Sequence, residues 1–204
     1  MASQVDIANI ALSNLGEQPI SSLTEANQRA RACEGRFNDV RDMVLRSHLW
    51  NCAMTRVQLV ADGTAPVWGY NYKYPLPADC LRVIAVKDVE YSWKIEGGYI
   101  VSDDGSMYIV YVRKEENPEV YDALLVQAMG CRLAAECAQD ITGKTALKDS
   151  MMAKYLAVLS EARSADAAEG TPQKIESDLW LESRYTSIDS WRPFSADVVQ
   201  DNAY

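Results

Sequence analysis

Between residues 22 and 50 the chain reads SLTEANQRARACEGRFNDVRDMVLRSHLW. Its apolar residues Ala26, Ala30, Cys33, Phe37, Val40 and Val44 recur at gaps of four and three. That rhythm places them on one stripe of an α-helix. The remaining faces carry Arg29, Arg31, Glu34, Arg36, Asn38, Arg41 and Asp42. Ser22 and Glu25 have the spacing of a capping box, so the helix is expected to begin there. A long helix with a single apolar stripe cannot bury that stripe alone. The rest of the chain must supply the cover.

A first helix is expected over residues 3–15. Val5, Ala8, Leu12 and Leu15 share a face, Ser3 can cap the start and Gly16 can end it. Gln18-Pro19-Ile20 is a connector. From Asn51 to Leu59 the helical rhythm is lost, and Asp62-Gly63 with Pro66 marks a loop.

Residues 67–113 read as β-structure. VWGYNYKY alternates, which puts Trp68, Tyr70, Tyr72 and Tyr74 on one face. CLRVIAVKDV is a strand rich in β-branched residues, and YSWKIE, YIVS and MYIVYVRK complete a meander. Gly97-Gly98 and Asp104-Gly105 supply its tight turns. The aromatic stripe has two readings, a stacking platform for sugars or bases and a buried or interfacial sheet face. We take the second, because such stripes ordinarily report burial.

Asn117-Pro118 opens a third helix, with Val120, Leu124, Ala128, Cys131, Ala135 and Ala138 inward and Gly143 at its end. A fourth runs from Thr145 to about Ala168, with Leu147, Met151, Tyr155, Val158, Ala162 and Ala165 inward. The small residues of the third helix permit close interhelical approach. The expected fold is therefore α+β and mainly α. It is a four-helix bundle with a small antiparallel sheet inserted between helices 2 and 3, followed by an extended C-terminal arm. The expected divisions are residues 1–54, 55–116, 117–169 and 170–204.

Residues 170–204 show no sustained period but carry Trp180, Leu181, Tyr185, Trp191 and Phe194. Such side chains are costly to leave in water. The segment either folds back on its own bundle or docks onto a neighbour, and docking is the expectation taken forward.

The formal net charge of −9 argues against a surface that coats DNA or RNA, since phosphate affinity comes largely from Lys and Arg. The five cysteines form no CxxC pair, and His48 is the single histidine, so no metal site is expected. Free thiols packed as small hydrophobes in a reducing cytosol are the expectation. The N-terminus lacks the pattern of a signal peptide, and no stretch approaches a membrane span.

An enzyme remains a separate class. His48 as a general base would need a nucleophile and an orienting carboxylate, which no spacing supports. The pairs Asp103/Asp104 and Glu115/Glu116 are the material for a glycan hydrolase, but neither forms an evident dyad. A cytosolic helical scaffold is a third reading. No catalytic residue and no cofactor are expected.

Five stretches occur in a characteristic order. They are IANIALSNLGEQPISSLTE (7–25), LRSHLWNCA (45–53), YPLPADCLRV (74–83), LAAECAQDITG (133–143) and DLWLESRY (178–185). Together they resemble the tail tubular protein A family of T7-like bacteriophages, the head-to-tail adaptors, over residues 3–185. The resemblance implies a structural virion protein of the phage tail, assembled in the cytoplasm of the host bacterium. It implies a dodecameric ring with the portal protein above and the tail nozzle, tail tubular protein B, below. Tail fibres are a further conceivable neighbour, and viral DNA passes through the lumen without specific binding. An acidic wall suits that passage, because it forgoes the counterion-release affinity that would stall a moving duplex.

On this reading the candidate residues make contacts rather than catalyse. Trp180, Arg184, Tyr185 and Trp191 belong to an arm for a neighbouring subunit or the portal. Tyr70 and Tyr72 belong to a second contact surface on the sheet. The face of the long helix bearing Arg29, Arg36 and Arg41 either meets an adjacent protomer or is ordinary solvated surface, and the latter is expected.

Overall fold

In a computed structural model, the structure describes residues 2–87 and 92–169. Among these residues there are four α-helices and six β-strands, and residues up to Glu169 form one compact unit. The expected C-terminal arm, with Trp180, Arg184, Tyr185 and Trp191, lies outside the described residues.

Helix α1 (Gln4–Leu15) starts as its sequence requires. Ser3 Oγ accepts from the Asp6 amide at 3.1 Å, and the Asp6 carboxylate accepts from the Ser3 amide at 2.9 Å. This reciprocal box satisfies two amides that a helix start leaves unpaired. Gly16, at φ 76°, closes the helix in the left-handed region. The connector is pinned by Asn9, whose side-chain amide both donates to and accepts from the backbone of Ile20.

Helix α2 (Gln28–Arg46) is shorter at both ends than the stretch of residues 22–50 in which its stripe lies. Its cap is Asn27, which accepts from the Ala30 amide at 2.7 Å. The Glu25 carboxylate does reach back to the Ser22 amide, but Ser22 Oγ accepts from Thr24, which makes a turn and not a helix start. The local hydrogen bonds of two serines and a threonine have won over helix propagation there. At the other end Trp50 turns inward, fully buried, and its indole N–H donates to the Val44 carbonyl at 2.9 Å.

Asn117 caps only a single 3-10 turn (Pro118–Val120), and Val120 is exposed. Asp122 caps the true helix α3 (Ala123–Thr142), which ends at Gly143 with φ 70°. Helix α4 (Thr145–Ala168) has the expected bounds. Helix α3 packs against α1, α2 and α4, and its small residues allow it. A Cβ on Gly130 would meet Ile10 Cγ2 at 2.4 Å, so α1 lies directly on the glycine backbone. The five cysteines are free thiols. Cys33 and Cys137 are fully buried at the α2–α3 seam, where the Cys137 thiol donates to the Ala32 carbonyl of α2 at 3.4 Å.

Strands β1 (Met54–Leu59), β2 (Tyr72–Pro75), β3 (Cys80–Lys87), β4 (Trp93–Glu96), β5 (Tyr99–Ser102) and β6 (Met107–Arg113) build two antiparallel sheets where one was expected. Their orders are β1–β6–β3 and β2–β5–β4. Gly97-Gly98 makes the β4–β5 hairpin, both residues at positive φ. Asp104-Gly105 instead carries the chain from one sheet to the other, so the meander is broken there. The stretch read as loss of rhythm contains β1, which pairs with β6 along its whole length.

Strand alternation then distributes β6 between two cores. Met107, Ile109 and Tyr111 face Tyr74 and Ile100 of the second sheet. Val112, on the opposite face, enters the helical core. Leu81 and Ile84 of β3 pack against the same helical core.

Two glycine substitutions test the helical packing with opposite signs. Gly130→Ala overpacks the α1–α3 crossing and should cost about 1–3 kcal/mol. Gly35, exposed within α2 with open space beside it, should gain roughly 0.5–1 kcal/mol as Gly35→Ala. Urea unfolding of both variants checks the pair. Equal effects would show that helix propensity, not crowding, governs both sites.

Candidate interaction surface

The aromatic stripe expected over residues 68–74 is split in two. Gly69, at φ 91°, breaks the extended run, so only Tyr72 and Tyr74 stand in β2. Tyr74 is buried between the sheets, where its hydroxyl donates to the Asp104 carbonyl. Tyr72, at the strand's start, is 39% exposed. Tyr70 precedes the strand and is half-buried. Val67 and Trp68 stand out in the loop at 100% and 86% exposure. The loop's base is braced, because Asp62 pairs with Lys73 at 3.3 Å and the Asn71 amide donates to Asp103 at 2.8 Å. A braced loop thus holds two large apolar side chains in water, which is a feature of contact surfaces.

A second feature was missed in the sequence. Gln58, Tyr108 and Lys87 are neighbours in one row across the β1–β6–β3 sheet, and Arg56, Val110 and Ala85 in the next. Both rows lie on the face that carries Val112 toward the helices. The helices cover only the Val112 end. The other end is an open groove of about 510 Å³, floored by Tyr108, Val110 and Ala85 and flanked by Arg56, Gln58 and Lys87. Among the described residues its lining carries two basic side chains, Arg56 and Lys87. The signal for it was the alternation of TRVQLV at residues 55–60, set against the alternation of MYIVYVR.

The arginines of α2 are engaged within the chain. Arg29 pairs with Glu17 at 3.7 Å, and Arg36 pairs with Asp140 at 2.9 Å. Arg41 is buried, against the expectation of a solvated face, and lies 2.8 Å from Asp42 and 3.7 Å from Glu116. A buried guanidinium needs such partners to offset its lost hydration. Arg36 thus ties α2 to α3, Arg29 ties it to the connector after α1, and Arg41 ties it to the segment after β6, so the three do not form a free patch.

The carboxylate pairs also have internal partners. Asp104 accepts from Ser102 Oγ at 2.9 Å, and Asp103 holds Asn71. Glu115 is buried, paired with Arg113, and accepts from the Asn117 amide at 3.0 Å. Glu116 is exposed and lies beside Arg41 and Lys114. Among the described residues no cluster of three His, Cys, Asp or Glu side chains is placed to hold a metal ion. Among them, too, no helix is long and apolar enough to cross a membrane.

His48 joins the end of α2 to the end of α4. Its Nε2 lies 3.4 Å from the Asp166 carboxylate, and its ring meets Trp50 edge-on at 4.8 Å. Asp166 also accepts from the Asn51 amide at 3.0 Å, while Arg163 donates to the Ser47 carbonyl at 3.0 Å. Burial holds the His48 imidazole below its ordinary value; Asp166 opposes that shift and Arg163 reinforces it. Desolvation outweighs the single partly solvated carboxylate.

The folded protein therefore prefers neutral His48. With the folded value below the unfolded one, near 6.5, stability is full above that pH and declines as pH falls through it. His48→Gln should flatten this decline. Unfolding midpoints of the two proteins between about pH 7.5 and 5 check it, and identical slopes would contradict the assignment.

No family model matches the chain, and no curated protein matches it either.

Proposed function

We propose that this chain is a structural virion protein, a head-to-tail adaptor subunit of a short-tailed phage. Its copies close into a ring between portal and tail nozzle and line the channel through which DNA leaves. In this reading the four helices are a bundle, the strands are an insertion between its second and third helices, and residues 170–204 are an arm.

The observation that carries the reading is the concentration of exposed large apolar groups in the β-region. Val60, Val67, Trp68, Trp93, Ile95 and Tyr108 are all exposed there. Two surface features, an apolar loop tip and an open groove, leave the protomer with contacts still to be made. Different patches that meet head to tail generate a ring when the rotation closes. The net charge of −9 supports a wall past which DNA slides. The ordered stretches that resemble the tail tubular protein A family support the same assignment.

Contacts of this kind are measurable. Truncation after Gly170 should leave the helices and sheets folded but abolish ring formation or portal binding. Circular dichroism reads the first, and sedimentation of the protein alone and mixed with a portal ring reads the second. An unchanged affinity would refute a role for the arm. Trp68→Ser should shift stability by less than about 0.5 kcal/mol, as surface substitutions do, while weakening assembly. A loss of stability would instead mean that the loop tip serves the fold.

A further inference from the structure

We propose that the outer edge of β4 pairs antiparallel with β4 of a second copy of this chain, about a two-fold axis through Ile95. An isologous contact of this kind closes at two copies. It therefore concerns the protein apart from the ring and stands independently of that reading.

Register decides which backbone groups of the hairpin point outward. Glu96 and Tyr99 flank the two-residue Gly97-Gly98 turn, so they are the hydrogen-bonded pair that closes it. Hydrogen-bonded and non-hydrogen-bonded pairs alternate along an antiparallel ladder, so Lys94 also bonds toward β5, opposite Val101. The amides and carbonyls of Trp93 and Ile95 therefore point away from β5. Among the described residues β4 is the last strand of its sheet, and all four of its residues are exposed. The opposite edge of that sheet is closed. By the same alternation Lys73 and Pro75 point outward from β2. There the Lys73 carbonyl accepts from the Asp62 amide at 2.8 Å, and Pro75 has no N–H to offer. Strand β3, an edge of the first sheet, is interrupted by two register shifts. Natural sheets guard their edges in such ways. Strand β4 has neither proline nor register shift, and its lysine is offset by Glu96 two residues on.

The side chains suit a copy of the same strand. Residues directly opposite in a ladder share a face, and a two-fold axis perpendicular to the sheet keeps each face on its own side. With Ile95 opposite Ile95 of the second copy, Lys94 stands opposite Glu96 and Glu96 opposite Lys94. The two isoleucines exchange the hydrogen bonds that point outward. The two charged rows are then non-hydrogen-bonded pairs, in which side chains approach most closely. In the single chain Lys94 and Glu96 pair with each other at 2.9 Å, both in water. Dimerisation adds a cross-strand partner to each. A two-fold through Lys94 would instead oppose two lysines. On the other face Trp93 and Ile95 share rows with Ser102 and Ile100, the side on which Tyr74 and Ile100 are buried against the first sheet. That cover stops short of β4 and leaves Trp93 and Ile95 exposed. Pairing sets Trp93 diagonally beside Ile95 of the second copy and removes both from water.

Charge exchange in the full-length protein tests both the edge and its register. A four-residue edge is a small contact, so wild type should show a species of twice the chain mass that grows with concentration from the micromolar to the millimolar range. Sedimentation equilibrium reads it, and thermal unfolding verifies that each variant keeps its fold. Lys94→Glu alone opposes two acids in each charged row, and Glu96→Lys alone opposes two lysines. Each should dimerise about tenfold more weakly, because two rows turn from attraction to repulsion. The double variant Lys94→Glu/Glu96→Lys restores opposite charges in both rows and should recover wild-type dimerisation. Ile95→Pro removes an amide that points away from β5, so the hairpin keeps its own bonds while the dimer is lost. A wild type with no such dimer up to millimolar concentration overturns the inference. So do single variants that dimerise as wild type does, a double variant that fails to recover, or a dimer that survives Ile95→Pro. Recruitment of the protein by a portal ring bears on the adaptor reading alone, so the two can fail separately.

Discussion

The close approach of α3 to its neighbours is the constraint from which the remaining packing follows. Gly130 lets Ile10 of α1 rest on the α3 backbone, and Ala128, Ala134, Ala135 and Ala138 are all fully buried along the same helix. Small residues on a central helix allow interaxial distances at the short end of the usual range. With α3 buried among α1, α2 and α4, its polar groups are confined to a few positions. Arg132 is one, held by Glu136 at 2.6 Å and lying over the Tyr155 ring at 5.5 Å. Cys33 and Cys137 act here as compact apolar fillers, the Cys137 thiol donating to the Ala32 carbonyl.

From that helical core the chain reaches the β-region through a short, heavily hydrogen-bonded junction. Trp50 closes the end of α2, Arg46 donates to the Leu81 carbonyl, and Asp166 of α4 holds Asn51. Arg41, Asp42, Lys114 and Glu116 form a charged cluster between α2 and the segment after β6. The sheet is thereby fixed with one end of its outer face under the helices and the other end open. The groove is a consequence of that partial cover and not of any special sequence motif.

Much of the helical part was legible because its signals are local. Ser3, Gly16 and Gly143 mark termini by backbone chemistry that operates within four residues, and the α4 stripe runs unbroken. The errors arose where two local signals compete. Ser22 and Glu25 look like a capping box, yet Ser22, Thr24 and Asn27 form a turn and a later cap. Asn117-Pro118 opens a helical turn that the extended Tyr121 stops before Asp122 begins the helix. The β-region was less legible for a different reason. A stripe such as Trp68 to Tyr74 tells alternation from residue to residue but not whether a glycine at positive φ interrupts it. Nor does any strand's own sequence state which of two sheets it joins. The groove depends on register among β1, β6 and β3, which are far apart in sequence, and on how far the helices extend over them. Arg41 was misread because a buried arginine among apolar neighbours shares the spacing of an exposed one.

Strand β6 gives Met107, Ile109 and Tyr111 to the layer between the sheets and Val112 to the helices. The same backbone ladder therefore belongs to both interiors. Neither interior can dissolve while the other stands, because pulling β6 from one strips it from the other. A chain whose plan on paper is a set of helices with an appended β-module should on this account melt in one cooperative step, its two halves sharing a single thermodynamic fate.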